Sequence, residues 1–414
     1  MTARENISSY RWAVLGINGI LLAAVYMSLS SWAVAVPELK EYFNLSSTYI
    51  MLGSAFLIAG YSIGSYVEGH LLAKYGWRKV LGIVMLAFLL ASVAIPYAPN
   101  YPVVLLLRFI QGWGLVVVIT SNVVSSWFPV RQRGIANGIL LGMVPGGVAI
   151  GGVVSGNLLP SFGWQNTFLI LAAIVAVCVI LNYLISKDAP LEISEQKPVE
   201  QETEVVVNDI SPKKPNIYRT AAVWLMGLAM FCNFFQVYGM YSFLGDYLYT
   251  LGFAPVAVGT LILLNGLIGV VSTPVGGIVS DRIVSSSGNA LKARAYSMVF
   301  VGFLVAAIGS WLVPFLAPLG FGLASLAMII MGWGIPATNG PLASLPVDLF
   351  GPKVGGEAFG LVLLIAGAGG IIAPIFVTWM ASTFGWYVGW FITGAAAAIG
   401  VIAGLILPAA KPDL

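Results

Sequence analysis

The chain has 414 residues, of which 59% are hydrophobic and only 8% charged, with a formal net charge of +3. A mean hydropathy of +0.94 is more apolar surface than a water-soluble fold can bury, so soluble enzymes and nucleic-acid-binding domains are excluded and a lipid-embedded chain is implied. One histidine and two cysteines exclude a metal cage and a disulfide framework, no Walker A sequence is present, and no cofactor is expected.

Apolar runs of the length a helix needs to cross the hydrocarbon occur twelve times. Span one, 12–36, carries Asn18, Tyr26 and Trp32, and it is too long for a signal-peptide core, so it is expected to stay. Span two, 47–73, ends in Glu68-Gly69-His70. Span three, 80–98, is featureless, whereas span four, 102–127, holds Arg108 well inside an apolar run. A cation at that depth costs ~2.5–3.5 kcal/mol on insertion scales, so it faces a cavity, a substrate or a helix partner. Gln111 and, about four turns on, Asn122 share its face. Arg108 therefore has two readings: it contacts a carboxylate or similar anion through its five donors, or it hydrogen-bonds backbone carbonyls and positions helices.

Span five, 134–159, places Gly134, Gly138, Gly142 and Gly146 four apart, then Gly147, Gly151, Gly152 and Gly156, with Pro145 between. Such spacing strips a helix face of side chains and suits either a sliding interface with a soft point at Pro145 or static close packing. Span six, 165–186, leads to a Glu-, Lys-, Pro- and Ser-rich segment, 187–218, which reads as a flexible linker. The expected division is a first six-helix bundle over 1–186, the linker 187–218, and a second bundle over 219–414.

Span seven, 219–249, brings Tyr238 and Tyr241 onto one face with Phe234, a ring set able to clamp a small organic solute or to pack statically. Span eight, 255–280, adds Asn265; spans nine, 294–317, and ten, 319–345, follow, the latter with Asn339. Spans eleven, 356–383, and twelve, 386–408, complete the set. Glu68, Asp246, Asp281, Asp348 and Glu357 all fall near span ends, so no acid is expected at mid-depth; Glu68 and His70 are the leading titratable candidates. One buried cation without a buried acid fits anion exchange, or symport in which the anion brings the charge balance.

The halves repeat. Gln111-Gly112-Trp113-Gly114 recurs as Met331-Gly332-Trp333-Gly334, and Ser161-Phe162-Gly163-Trp164 as Thr383-Phe384-Gly385-Trp386. Parallel six-span repeats around a midplane site are a transporter architecture. Seventeen of the 19 Lys and Arg residues fall on one side if the N-terminus is cytoplasmic, which predicts cytoplasmic N- and C-termini in the cell membrane.

The run Gly69-His70-Leu71-Leu72-Ala73-Lys74-Tyr75-Gly76-Trp77-Arg78-Lys79 resembles the cytoplasmic loop motif of the major facilitator superfamily, with Ala73 where that family usually has Asp. Its second copy, Gly277-Ile278-Val279-Ser280-Asp281-Arg282, keeps the acid, and Arg108 followed by Gly112-Trp113-Gly114 resembles the family's span-four motif. Ser31–Leu39 with Ser46, and Trp127–Gly134, are similar to organic-anion and monocarboxylate-type branches, although a basic residue in span eight or eleven is missing. The resemblance implies an all-α membrane protein of twelve helices in two pseudo-symmetric bundles. It also implies a latch formed by Gly69, Gly76, Arg78, Lys79, Gly277, Asp281 and Arg282. The expected function is secondary active transport of a small organic solute, a carboxylate-type anion foremost and a neutral or amphipathic solute as the alternative. The candidate contacts are Arg108, Gln111, Asn122, Tyr26, Trp32, Tyr238, Tyr241, Asn265 and Asn339. The expected partners are that solute, a coupled proton or exchanged anion, and lipid, with the chain acting as a monomer.

Overall fold

The computed structural model describes residues 9–45, 47–189 and 216–410; Ser46 and most of the expected linker lie outside the described residues. All regular elements among the described residues are helical. Span one is Tyr10–Phe43 and span two Ser47–Tyr75. Span three is Trp77–Ala94, and span four comprises Tyr101–Gly112 and Val117–Trp127. Spans five and six share the trace Val130–Ile185, which turns at Gly163. Spans seven and eight are Ala221–Thr250 and Pro255–Ser287, and span nine is Ala290–Leu319. Spans ten and eleven share Phe321–Phe384, which turns at Gly351, and span twelve is Trp386–Ile406. The twelve helices form two six-helix bundles.

The repeat is built into the backbone. Gly163 and Gly385, which stand at matching Phe-Gly-Trp junctions, both adopt positive φ (69° and 98°), a conformation that a side chain resists. Each Gly-Trp-Gly plays the same part in its bundle. Gly112 lies against the backbone of Leu57 and Tyr61 in span two, and Gly114 against the Phe88 ring in span three. Gly332 lies against Asn265 in span eight, and Gly334 against Ala306 in span nine. One glycine seats its helix on the second member of the repeat and the other on the third, so a Cβ at any of the four would collide.

Span four is not the single rod its hydropathy suggests. It tightens at Trp113–Leu115 and breaks at Val116, a β-branched residue held at φ 42°. The two glycines flanking Trp113 weaken the helix there, and their close seating on neighbouring spans holds the break. Pro145, by contrast, is accommodated within span five, whose trace departs from helical geometry only at Gly163.

Candidate transport site and interface latch

Span two meets span eleven, and span five meets span eight, where the bundles touch. The end of these seams nearest Tyr75, Ser186 and Tyr218 is here termed the linker face. Gly69 abuts Gly356 and Glu357, and Gly277 abuts Gly134 and Ile135, in a pseudo-symmetric pair of backbone contacts. Asp281, one turn beyond Gly277, accepts hydrogen bonds from the N–H groups of Gly134 (3.0 Å) and Ile135 (2.6 Å) at the start of span five. Ala73 occupies the matching place in the first half and has no acceptor to offer.

Behind Asp281 lies a buried charge network that crosses between bundles. Arg294 of span nine bonds Asp281, Ser280 and, at 3.0 Å, Asp348 of span ten. Asp348 also receives Arg133 of span five at 3.2 Å, and Arg294 reaches the Val130 carbonyl at 3.0 Å. All four charged side chains are buried. Such a network adds little over apolar packing while intact, yet losing one member strands a buried charge.

The other expected latch residues do different work. Arg78 donates to the Ser186 carbonyl at 2.6 Å and lies over Trp77, contacts that remain within the first bundle. Gly76 makes the turn between spans two and three at φ 75°, whereas Lys79 and Arg282 are exposed. The first-half contact across the seam is instead His70 Nε2 to Glu357 Oε1, 3.1 Å, with the Tyr218 hydroxyl 3.1 Å from the same nitrogen.

The glycines of span five divide into two sets. Gly134 and Gly138 touch span eight closely, Gly142 more loosely at Val270, and Gly146 has open space beside it, as does Gly266 on span eight. Gly147 and Gly151 instead pack against Ala23 and Met27 of span one in the same bundle. Spans five and eight are therefore in close contact at the linker face, and their contact loosens along span five toward Gly146.

Arg108 sits within the first bundle. Its Nε donates to the Gly53 carbonyl (3.2 Å) and its Nη1 to the Ser28 carbonyl (3.4 Å) and Gln111 Oε1 (2.6 Å). Gln111 passes the contact on to Ser92 at 2.8 Å, and Trp32, itself bonded to the Ile50 carbonyl, covers the guanidinium at 4.5 Å. Arg108 Nη2 has no hydrogen-bond partner among the described residues, and the residue lines a cavity of about 20 Å³ between spans one, three, four and six, the size of one water. Asn122 stands elsewhere, beside Gly356 at the seam.

A second group gathers between the bundles. Tyr26 and Tyr61 face one another, Phe234 stacks on Tyr61 at 6.2 Å, and Tyr238 meets Phe234 at 5.5 Å and Gly370 of span eleven. Nearby in the second bundle, the Tyr241 hydroxyl donates to Asn265 at 2.7 Å while 43% of the residue stays exposed. Asn233 donates to Thr338 at 2.9 Å and to Asn339 at 3.1 Å. Tyr26 and Tyr238 thus meet at the bundle interface, whereas Tyr241, Asn265 and Asn339 are bonded within the second bundle, and all five stand apart from the group formed by Arg108, Gln111 and Trp32.

Sequence reasoning missed Tyr61, Asn233, Arg133 and Arg294, and it placed Glu68 near a span end although it is 2% exposed. Small residues Ser62, Ser65 and Gly69 at helical spacing on span two were the available signal, because they mark the face against Gly367, Gly360 and Gly356.

The sequence model of the Major Facilitator Superfamily matches residues 19–365. The chain belongs to the Major Facilitator Superfamily. It is a multi-pass membrane transporter and not an enzyme. Among curated relatives it is similar to the probable sulfoacetate transporter SauU of Cupriavidus necator, with 26% identity over 96% of this chain and 94% of that protein. It is also similar to the hexuronate transporter of Bacillus subtilis, with 22% identity over 92% of this chain and 90% of that one. The proton:xylose symporter XylE superposes with a TM-score of 0.74 over 97% of this chain and 96% of that chain, at 16% identity, a likeness of superfamily fold alone.

Proposed function

We propose that this superfamily member is a secondary active transporter of small organic anions, carboxylates or sulfonates, in the cytoplasmic membrane, working by alternating access as a monomer. The observation that carries this reading is the cargo in the names of relatives matched over more than nine-tenths of the chain, sulfoacetate and hexuronate, both organic acids. The one-sided distribution of Lys and Arg supports cytoplasmic termini, which makes the linker face the cytoplasmic one. The boundaries 1–186, 187–218 and 219–414 follow from the same organisation.

Recognition falls to Tyr26, Tyr238, Tyr241, Asn265 and Asn339, whose hydroxyl and amide groups supply donors for carboxylate oxygens between apolar rings. Arg108, Gln111 and Trp32 serve as a structural core of the first bundle, and Asn122 belongs to the seam. Gly69, Gly277 and Asp281 act as the latch, helped by Arg133, Arg294 and Asp348. A neutral or amphipathic cargo is the second reading, favoured by the tyrosine and phenylalanine rings that dominate the group between bundles. Uptake of labelled sulfoacetate, glucuronate and neutral solutes into proteoliposomes decides between them. Flux of an acid that competes only with other acids, and that is weakened by Tyr241→Phe, is expected; flux of neutral solutes alone would sink the anion reading.

A further inference from the structure

In front of the buried charge network, where spans five and eight touch at the linker face, lies an open groove of about 460 Å³. Span five lends it Arg131 and Ile135, one turn apart, and span eight lends Arg282 with Ser285 and Ser286 in the following turn. The two arginines come from different bundles and line one concavity. Both are exposed, and neither makes a hydrogen bond or an ion pair among the described residues.

The charge around the groove is uneven. Behind it, Arg133 and Arg294 are balanced by Asp281 and Asp348. Asp281 also borders the groove, but its Oδ1 is held by the Gly134 N–H and by Arg294, and its Oδ2 by the Ile135 N–H. No lining residue is therefore left to offset Arg131 and Arg282. Span five begins at Val130 without a side chain capping its first turn, so its dipole adds to the positive potential beside Arg131. Each guanidinium offers a planar fork of donors that matches two oxygens of a phosphate.

The groove also stands at the end of an apolar strip. Ile278 lies one turn before Arg282 on the same face of span eight. Val271 and Leu267, seven and eleven residues before Ile278, continue that face and are 52% and 48% exposed. An apolar strip leading to a cationic end matches the order of acyl chain and headgroup in a phospholipid.

We propose that this groove binds a phosphate group through Arg131 and Arg282, and that the bound phosphate ties the bundles together while the linker face is shut. An acidic phospholipid headgroup and free phosphate present the same oxygens to it. Gly277 abuts Gly134, and Gly138 lies against Pro274, so the arginines are held on either side of a closed contact. Opening the linker face parts spans five and eight and separates the two arginines. A phosphate that bridges them favours the shut state by the difference in its affinity for the two states. This tie depends on what the surroundings supply, unlike the buried network behind it, and it goes beyond the cargo, whose identity it does not require.

The test uses the full-length protein with Ser65→Cys, Cys178→Ala and Cys232→Ala, in nanodiscs of phosphatidylcholine alone or mixed with phosphatidylglycerol. Alkylation from the linker side reads how often that face opens. Ser65 lies against Gly360 on the other seam, so a group in the groove does not shield it directly. Phosphatidylglycerol is expected to slow labelling about fivefold at equal ionic strength, the low end of coupling between two sites. Arg131→Gln combined with Arg282→Gln is expected to abolish the slowing; both residues are exposed, and an unchanged unfolding temperature in phosphatidylcholine checks that the variant folds. In the second arm, inorganic phosphate replaces chloride at the same ionic strength around phosphatidylcholine nanodiscs. Slowing by phosphatidylglycerol alone assigns the site to the lipid headgroup, by inorganic phosphate alone to the free ion, and by both to phosphate from either source. No slowing in either arm, or equal slowing in the double variant, overturns the proposal. Organic-acid flux is not measured, so neither result touches the reading of the cargo.

Discussion

His70 and Glu357 meet 3.1 Å apart across the seam between spans two and eleven, whereas at the matching seam Asp281 holds two backbone N–H groups of span five. The imidazole side chain is 39% exposed, so water screens the pair, while the Asp281 contacts are buried. His70→Ala is therefore expected to lower stability by under about 1 kcal/mol, the range of surface pairs. Asp281→Ala, which strips a carboxylate from Arg294 and from two N–H donors, is expected to cost about 3–5 kcal/mol. Thermal unfolding in detergent compares the two; equal shifts would contradict the asymmetry.

Asp348 stands between Arg133 and Arg294, and all three are buried. Asp348→Asn keeps the shape and removes the charge, taking away the carboxylate paired with Arg133 and leaving Arg294 with Asp281. The expected loss is again about 3–5 kcal/mol, because a buried cation is left without its counter-charge. Replacing Asp348, Arg133 and Arg294 together by apolar residues of similar size should recover much of that stability while abolishing transport.

The two sets of glycines in span five predict opposite behaviour. Gly138→Ala places a methyl against Pro274 and Thr273 of the other bundle, and Gly146→Ala places one in open space. Gly138→Ala is expected to prop the linker face open and to raise the alkylation rate of a cysteine at Ser65 from that side. Gly146→Ala should leave that rate unchanged. Faster labelling in both would mean that span five does not close progressively along this row.

Arg108 is expected to act through stability. Arg108→Ala removes hydrogen bonds to Gly53, Ser28 and Gln111 and should cost about 2–4 kcal/mol at the usual worth of charged hydrogen bonds. The residual transport should keep the wild-type KM if, as proposed, cargo is held by other residues. Arg108→Lys should rescue only part, since one ammonium cannot reproduce the planar fork. A raised KM with unchanged unfolding temperature would return Arg108 to the binding site.

Much of the fold could be read without coordinates because the physics behind it is local. Lipid demands long apolar helices, so the run at 47–73 appears as Ser47–Tyr75 and that at 386–408 as Trp386–Ile406. The repeat was visible because Gly112 and Gly332, or Gly163 and Gly385, answer to the same geometric demand in each half. What escaped depends on contacts between distant segments. The pairing of Arg133 with Asp348 joins residues 215 apart, and nothing in either neighbourhood announces it. Glu68 looked interfacial because it stands two turns from the end of span two, and only the second bundle, folding over it, removes its water. The polar face of Arg108, Gln111 and Asn122 was real at its start, but the break at Val116 redirects the helix between them.

The charge network ties the two bundles together at the linker face: with Arg133 seated on Asp348, opening that face must first part these groups. The solute that drives turnover must favour the other state by at least the free energy holding those groups together. Part of its intrinsic affinity is consumed in that rearrangement, so the measured Kd is weaker than the contacts alone would give. Variants that loosen the network should therefore bind more tightly on the linker side and cycle more slowly from the far one.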